Sequence, residues 1–178
     1  MKITTKLSLA VSAMLLASCA STPPAGPTAS ATLEARSGSS VSGVVNFSTR
    51  GDKVYVDARV SGLTPGEHGF HVHEVGDCSA ADAMSAKGHF NPAGKGHGHH
   101  GSGERHAGDM PNLRADAAGN ASHAGELSQL SLGADANGII GRSVVIHADP
   151  DDYKSQPAGN SGKRVACGVI RAATPRGN

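Results

Sequence analysis

Gly69-Phe70-His71-Val72-His73 places two imidazoles two positions apart along the chain. Successive side chains of a β-strand point to opposite faces, so His71 and His73 share a face only if this segment is extended. Phe70 and Val72 then point together to the other face, towards a core. Because neutral imidazole binds copper and zinc, and a carboxylate adds charge for zinc, this segment and the ligands after it predict a metal centre built on β structure. Those further candidate ligands are, in chain order, His89, His97, His106, Asp109 and His147.

The rest of the chain also favours β structure. Apolar residues at 54, 56, 58 and 60 fall on one face of a predicted strand over 53–60, and Gly51-Asp52 before it is typical of a hairpin turn. Two long irregular segments interrupt the strands at 75–110 and 149–163, and such loops inside a compact domain are usually functional. We therefore expect an all-β sandwich or barrel with two long functional loops. The other predicted strands cover 41–48, 67–74, 120–127, 142–148 and 164–172.

Residues 1–18 have the features of an export signal. Lys2 and Lys6 precede a short apolar run over 7–17, which is too short to span a bilayer. Leu16-Ala17-Ser18-Cys19 resembles the lipobox of bacterial lipoproteins, in which the signal is cleaved before a cysteine that then carries lipid. An ordinary secretory signal with an incidental cysteine is the alternative, and either reading exports the chain. Residues 19–32 are rich in Ser, Thr, Pro, Ala and Gly and are interpreted as a lipid-anchored flexible tether, which leaves 33–174 as the folded domain.

Export determines how charge and cysteines are interpreted. Ala20 is not the aspartate that holds lipoproteins at the inner membrane, so the lipobox resemblance implies the periplasm and the outer membrane. Without Lys2 and Lys6 the chain has 14 basic against 15 acidic residues, which offers no basic patch for nucleic acid and leaves the N-terminal lipid as the membrane contact. Cys78 and Cys167 remain as a pair in an oxidising compartment. They predict one disulfide, with two buried free thiols as the alternative.

Several motifs, taken together and in order, resemble those of the bacterial periplasmic copper–zinc superoxide dismutases. The match covers nearly all of the exported domain and implies a Greek-key β-barrel of about eight antiparallel strands. The motifs are the copper-pair segment Gly-Phe-His-Val-His-Glu at 69–74, the bridging-histidine segment Gly-His-Phe-Asn-Pro at 88–92, the zinc ligands at 97 and within His-Ala-Gly-Asp at 106–109, the last copper-histidine strand at 141–147, and the arginine and cysteine segment at 163–170.

The resemblance implies dismutation of superoxide to dioxygen and hydrogen peroxide, with one copper and one zinc in each subunit of a monomer or homodimer. His89 would bridge the two metals through its deprotonated ring. Arg164 would guide the superoxide anion, and Asp151 would link a copper histidine to a zinc histidine through their other N–H groups. The implied copper ligands are His71, His73, His89 and His147, the implied zinc ligands are His89, His97, His106 and Asp109, and the implied disulfide joins Cys78 to Cys167 beside Arg164.

His99 and His100 are not required by this ligand set. The spacing from His89 and to His106 favours His97 over His99 as the zinc ligand. An exposed polar loop is the leading interpretation of the extra pair, and auxiliary capture of copper or zinc is the alternative. The surplus also leaves a periplasmic metal carrier as a competing function, although a carrier needs neither Arg164 nor a bridging ligand. A zinc hydrolase is a poor third hypothesis, because no glutamate stands in a His-Glu-x-x-His motif.

Overall fold

The computed structural model describes residues 28–173 together with Met1. Within them, no helix is long and apolar enough to cross a membrane, and a short 3₁₀ turn spans Met84–Ala86. The predicted signal peptide, Cys19 and most of the tether lie outside the described residues and stay predictions. The strands are β1 (Ala29–Ala35), β2 (Ser42–Arg50), β3 (Lys53–Ser61), β4 (Gly66–His68), β5 (Phe70–His73), β6 (Leu113–Ala115), β7 (Ala121–Leu127), β8 (Ser143–His147), β9 (Arg164–Val169) and β10 (Arg171–Ala172).

The strands form a nearly closed antiparallel barrel. Nine of them are hydrogen-bonded in the order β4-β6-β7-β3-β2-β1-β9-β8-β5, and β10 pairs with β1. The two end strands of this path, β4 and β5, are separated in the chain by Gly69 alone, so the chain itself joins the two edges. The Gly69 N–H donates to the Asp149 carbonyl, and the His147 N–H donates to the Gly69 carbonyl, each at 2.9 Å. This nearly closed, all-β antiparallel barrel of about nine strands confirms the predicted fold class.

Alternation along the strands places one apolar face inside the barrel. In β3, Val54, Val56, Ala58 and Val60 are buried, as the sequence pattern predicts, while the residues between them are more exposed. The Gly51-Asp52 turn joins β2 to β3 in a hairpin whose register pairs Arg50 with Lys53. β5 differs because all four of its residues are buried. One face of β5 belongs to the core, and its other face is covered by the long loop that follows.

The structure corrects two sequence-based boundaries. The tether cannot extend to Thr32, because β1 begins at Ala29. Ala29, Ala31 and Leu33 alternate inwards, but small alanines and serines are weak strand formers and conceal the pattern. The predicted strand over 67–74 is in fact two strands, since β4 pairs with β6 whereas β5 pairs with β8. The short strand β6 was not predicted, because three residues are too few to show alternation.

Candidate metal centre

A segment of the first long loop pairs with β5 and brings distant ligands together. The Phe90 N–H donates to the Val72 carbonyl at 2.8 Å, the Val72 N–H donates to the Gly108 carbonyl at 3.0 Å, and the Gly108 N–H donates to the Phe90 carbonyl at 2.9 Å. A Cβ atom at Gly108 would lie 2.2 Å from the Val72 carbonyl oxygen, so the close approach requires glycine there. These bonds set β5 and two passes of the loop side by side.

The same pairing sets the ligands opposite one another. His73 forms a backbone bridge with His89, and His71 forms one with Asp109. β8 lies on the other side of β5 and ends at His147. Side-chain ligand atoms form two buried groups, each with all its ligand atoms within 4.8 Å of one another. The first group contains His71, His73, His89 and His147, and the second contains His89, His97, His106 and Asp109.

In the first group, one nitrogen of each ring is engaged on the outside of the group, and the other nitrogen faces the remaining three rings. His71 Nε2 donates to Asp151 at 2.8 Å, and its buried Nδ1 has no partner. His73 Nδ1 donates to the Lys87 carbonyl at 2.9 Å, which leaves the lone pair on Nε2. His147 Nε2 lies 3.4 Å from His73 Nε2. His89 adds a buried Nε2 without a partner. Four imidazole nitrogens thus face a common point, and their donor set suits copper.

The second group is built around one oxygen of Asp109. Oδ2 accepts the backbone N–H groups of His106 at 2.9 Å and Gly98 at 3.2 Å. Oδ1 faces the Nδ1 atoms of His89, His97 and His106 at 2.9, 3.1 and 3.4 Å. Of these three, the Nδ1 atoms of His97 and His106 make no hydrogen bond. Three imidazole nitrogens and a carboxylate oxygen so close together match a closed zinc site.

Asp151 connects the two groups at their outer edge. Its Oδ2 accepts from His71 Nε2 and its Oδ1 accepts from His97 Nε2, both at 2.8 Å. The Asp151 side chain is fully buried and therefore joins one histidine of each group inside the protein. Such partners fix the orientation of metal-binding rings. The geometry is the one that the sequence resemblance implies for this residue.

The protonation of the two groups differs. Burial lowers the pKa of His71, His73 and His147, and burial together with the neighbouring His71 lowers the pKa of His89 to about 3. The first group is therefore neutral, as copper ligands must be. Burial lowers the pKa of His97 too, but contacts with Asp109 and Asp151 outweigh it and raise the pKa to about 9.

The carboxyl of Asp109 shows the opposite balance. Burial raises its pKa, but contacts with the surrounding histidines outweigh burial and hold the pKa well below its usual range. The second group thus supplies the ionised carboxylate that a zinc site uses.

Two side-chain amides that the sequence reasoning missed hold the partners of this network. Asn112 Oδ1 accepts the Asp151 N–H at 2.9 Å, and Asn112 Nδ2 donates to the Asp151 carbonyl at 3.0 Å. Gln156 binds both backbone groups of His97 in the same way. No local pattern in the sequence marks either amide, because each lies far along the chain from the residue that it holds.

Arg164 lies at the mouth of the first group. It lines a pocket of about 260 Å³ together with His147, Met84 and Gln156. Its guanidinium donates to the Ala83 carbonyl at 2.8 Å, in the loop that Cys78 ties to β9. Cys78 and Cys167 are joined by a disulfide, which confirms that prediction. Arg164 thus lies close to both the loop that the disulfide holds and His147 of the first group.

His99 and His100 lie outside both ligand groups. Their rings are 4.0 Å apart and both pack near Tyr153, at 4.8 and 5.7 Å. His99 is exposed, and its Nδ1 accepts the Gly101 N–H at 3.0 Å. The structure therefore places His97, not His99, in the second group. His68, by contrast, is buried between the carbonyls of His147 and Thr64, at 2.9 and 2.8 Å.

A β-barrel that carries two buried ligand groups joined by one histidine defines a dinuclear copper–zinc protein. A sequence model of the copper/zinc superoxide dismutase family (SODC) matches residues 41–170, and the chain belongs to this family. It is 48% identical to "Superoxide dismutase [Cu-Zn] 2" of Aquifex aeolicus (strain VF5) over 124 aligned residues. The alignment covers 66% of this chain and 72% of that protein. It is also similar to the structure described as "Crystal Structure Analysis of the clock protein EA4", with a TM-score of 0.75, 39% identity, and coverage of 86% of this chain and 99% of that one.

Proposed function

We propose that this protein is a superoxide dismutase, which converts two superoxide anions and two protons into dioxygen and hydrogen peroxide. The observation that carries the proposal is that His89 belongs to both buried ligand groups, with Nδ1 facing Asp109 of one group and Nε2 left without a hydrogen-bond partner. His71, His73, His89 and His147 would hold copper, and His89, His97, His106 and Asp109 would hold zinc. When bound, copper supplies one-electron chemistry by alternating between Cu(II) and Cu(I), while zinc in its closed site is structural and electrostatic.

His89 is the group that holds a proton for the product. Its Nε2 is buried and has no hydrogen-bond partner, while its Nδ1 faces Asp109 at 2.9 Å. In the deprotonated form implied for a bridging ring, His89 would take up a proton at Nε2 and become a neutral imidazole, while Nδ1 stays on the Asp109 side. Hydrogen peroxide requires two protons, and we assign one to this nitrogen and the other to solvent.

Arg164 attracts and orients the anionic substrate. Burial lowers the pKa of its guanidinium, but arginine stays cationic at neutral pH. The hydrogen bond to the Ala83 carbonyl fixes one end of the guanidinium, and the remaining N–H groups stay available for an anion. Burial lowers the pKa of His147, which lines the same pocket and is therefore neutral, so Arg164 supplies the positive charge among the pocket's lining residues. This arrangement favours entry of a small anion.

The test is superoxide removal by the copper- and zinc-loaded protein, with Arg164→Ala beside the wild type. Charged pockets raise association rates by factors of about 10–1000, so Arg164→Ala should lose on the order of tenfold in kcat/KM and should depend less on ionic strength. Arg59→Ala is the matched control, because the Arg59 side chain is 80% exposed on β3. Absence of superoxide removal by fully loaded, oxidised wild type would refute the proposed function. An unchanged rate in Arg164→Ala would refute only the role of that residue.

We also propose that the enzyme is anchored by lipid on Cys19 to the outer membrane, faces the periplasm and protects the cell envelope from superoxide. The lipobox-like residues 16–19 support export, and the Cys78–Cys167 disulfide is typical of an oxidising compartment. Mass spectrometry of the mature N-terminus, with Cys19→Ser as the control, should find acyl chains on Cys19 of the wild type only. An unmodified N-terminus after cleavage elsewhere would show an ordinary secretory signal instead.

A further inference from the structure

We propose that Gln156 is a positioning residue for the zinc ligand His97, an inference that rests on the proposed function. The Gln156 amide lies against the backbone of His97. The His97 N–H donates to Gln156 Oε1 at 2.8 Å, and Gln156 Nε2 donates to the His97 carbonyl at 2.9 Å. Within residues 28–173 these are the hydrogen bonds that hold the His97 backbone. The Gln156 side chain thus makes the two backbone hydrogen bonds that a neighbouring β-strand would otherwise make.

His97 depends on such a partner because its surroundings lack regular structure. The residues from 91 to 105 form neither strand nor helix. The outer end of the His97 ring is held by Asp151, with 2.8 Å between Nε2 and Oδ1. Once the backbone is held as well, both ends of the side chain are fixed. Nδ1 is then directed at the second ligand group, where it lies 3.1 Å from Asp109 Oδ1.

The contact requires a glutamine rather than any polar residue. An amide carries an acceptor and a donor side by side, which is the complement of one residue's N–H and C=O. If the amide were flipped, its NH₂ group would face the His97 N–H and its oxygen would face the His97 carbonyl, and neither hydrogen bond could form. The second hydrogen of Nε2 points to the Lys154 carbonyl at 3.4 Å, which agrees with this orientation. Asparagine is one methylene shorter and cannot reach both groups from the same backbone position.

Gln156 also belongs to the wall of the substrate pocket, beside Arg164 and His147. The same side chain therefore touches the backbone of a zinc ligand and the approach to the copper group. Asn112 holds Asp151 by an equivalent pair of bonds, so both partners of the His97–Asp151 hydrogen bond are held by amides. The second long loop is thus held to the first through Gln156 and His97, and to the segment before β6 through Asp151 and Asn112.

The experiment measures metal affinities of Gln156→Met and Gln156→Asn, in the full chain stripped of metal. Methionine has a similar length but makes neither hydrogen bond. Asparagine keeps the amide group on a side chain that is one methylene shorter. The matched control is Gln129→Met, because Gln129 is the other glutamine of the chain and lies outside both ligand groups. Zn²⁺ and Cu²⁺ affinities are measured by competition with a chromophoric chelator. Visible absorption of Co²⁺ placed in the zinc position reports its coordination.

Both Gln156 variants should bind Zn²⁺ about tenfold more weakly than wild type, with an altered Co²⁺ spectrum and unchanged Cu²⁺ affinity. Gln129→Met should match the wild type in all three measurements. Zinc affinity and a Co²⁺ spectrum equal to wild type in both Gln156 variants would overturn the inference. Equal losses of Zn²⁺ and Cu²⁺ affinity would overturn it too, because they would show a general structural role. If Gln156→Met does not fold, Gln156→Asn alone decides. Wild type that binds no Zn²⁺ would refute the proposed function itself.

Discussion

Removal of the Cys78–Cys167 disulfide should lower the free energy of unfolding of the metal-free protein by about 4.6 kcal/mol in the chain-entropy account. The bond joins residues 89 positions apart, so its loss frees a long loop in the unfolded chain. In the folded state Cys167 is fully buried, and replacement of both cysteines by alanine leaves no buried thiol at this position. For a domain of this size the melting temperature should fall by roughly 10–15 °C.

Loss of the disulfide should also change the substrate pocket. The Cys78 carbonyl accepts a hydrogen bond from Arg36 Nε at 2.8 Å, and the Ala83 carbonyl accepts one from Arg164, also at 2.8 Å. Both carbonyls belong to the loop that the disulfide ties to β9. Once that loop is free, Arg164 loses its fixed position. We therefore expect kcat/KM for superoxide to fall, and Arg164→Ala to add little to that fall.

Urea denaturation of three samples tests this prediction: oxidised wild type, wild type after reduction confirmed by thiol titration, and the Cys78→Ala/Cys167→Ala variant. The two samples without the bond should agree with each other and unfold at lower urea concentration. A difference below about 1 kcal/mol from oxidised wild type would refute the reasoning, because a cross-link of this span must restrict the unfolded chain. A full loss of stability with unchanged kcat/KM would refute the link to Arg164.

Two further predictions concern the metal centre. Asp151→Asn keeps the shape of the side chain but cannot accept hydrogen bonds from both His71 and His97. Zinc affinity measured by chelator competition should therefore fall by about 10- to 100-fold. An unchanged affinity would contradict the role of the carboxylate. Gly108→Ala places a Cβ atom 2.2 Å from the Val72 carbonyl oxygen and should cost about 2 kcal/mol in urea denaturation. Gly103→Ala is its control, because a Cβ atom there has no neighbour within 4 Å. Equal free energies of unfolding of the two variants would show that the loop accommodates the Cβ atom at Gly108 without loss of stability.

Much of the barrel was predictable because strand periodicity is local. The alternation of β3 and the spacing of His71 and His73 needed no knowledge of neighbouring strands. β1 escaped prediction because its inward residues are mainly alanines, which carry little signal. The division of 67–74 into β4 and β5 could not be predicted, since it depends on different partner strands.

The ligand residues were accessible to sequence reasoning, but the residues that hold them were not. His97 and Gln156 are 59 positions apart, and Asn112 and Asp151 are 39 apart. Each amide contacts backbone groups that every residue carries, so no particular sequence pattern accompanies such a contact. Only the folded loops show that these two amides face His97 and Asp151.

The sequence by itself determined the chemistry of this protein: which imidazoles and carboxylates are present, that two of them share a strand face, and that two cysteines remain to pair. These follow from residue type and from a period of two, both of which are local properties. The tertiary structure decided which nitrogen of each ring faces the other members of its ligand group. His71 turns its Nδ1 inward because Asp151, 80 positions away, takes its Nε2. Ring orientation depends on partners that only folding brings within hydrogen-bonding distance.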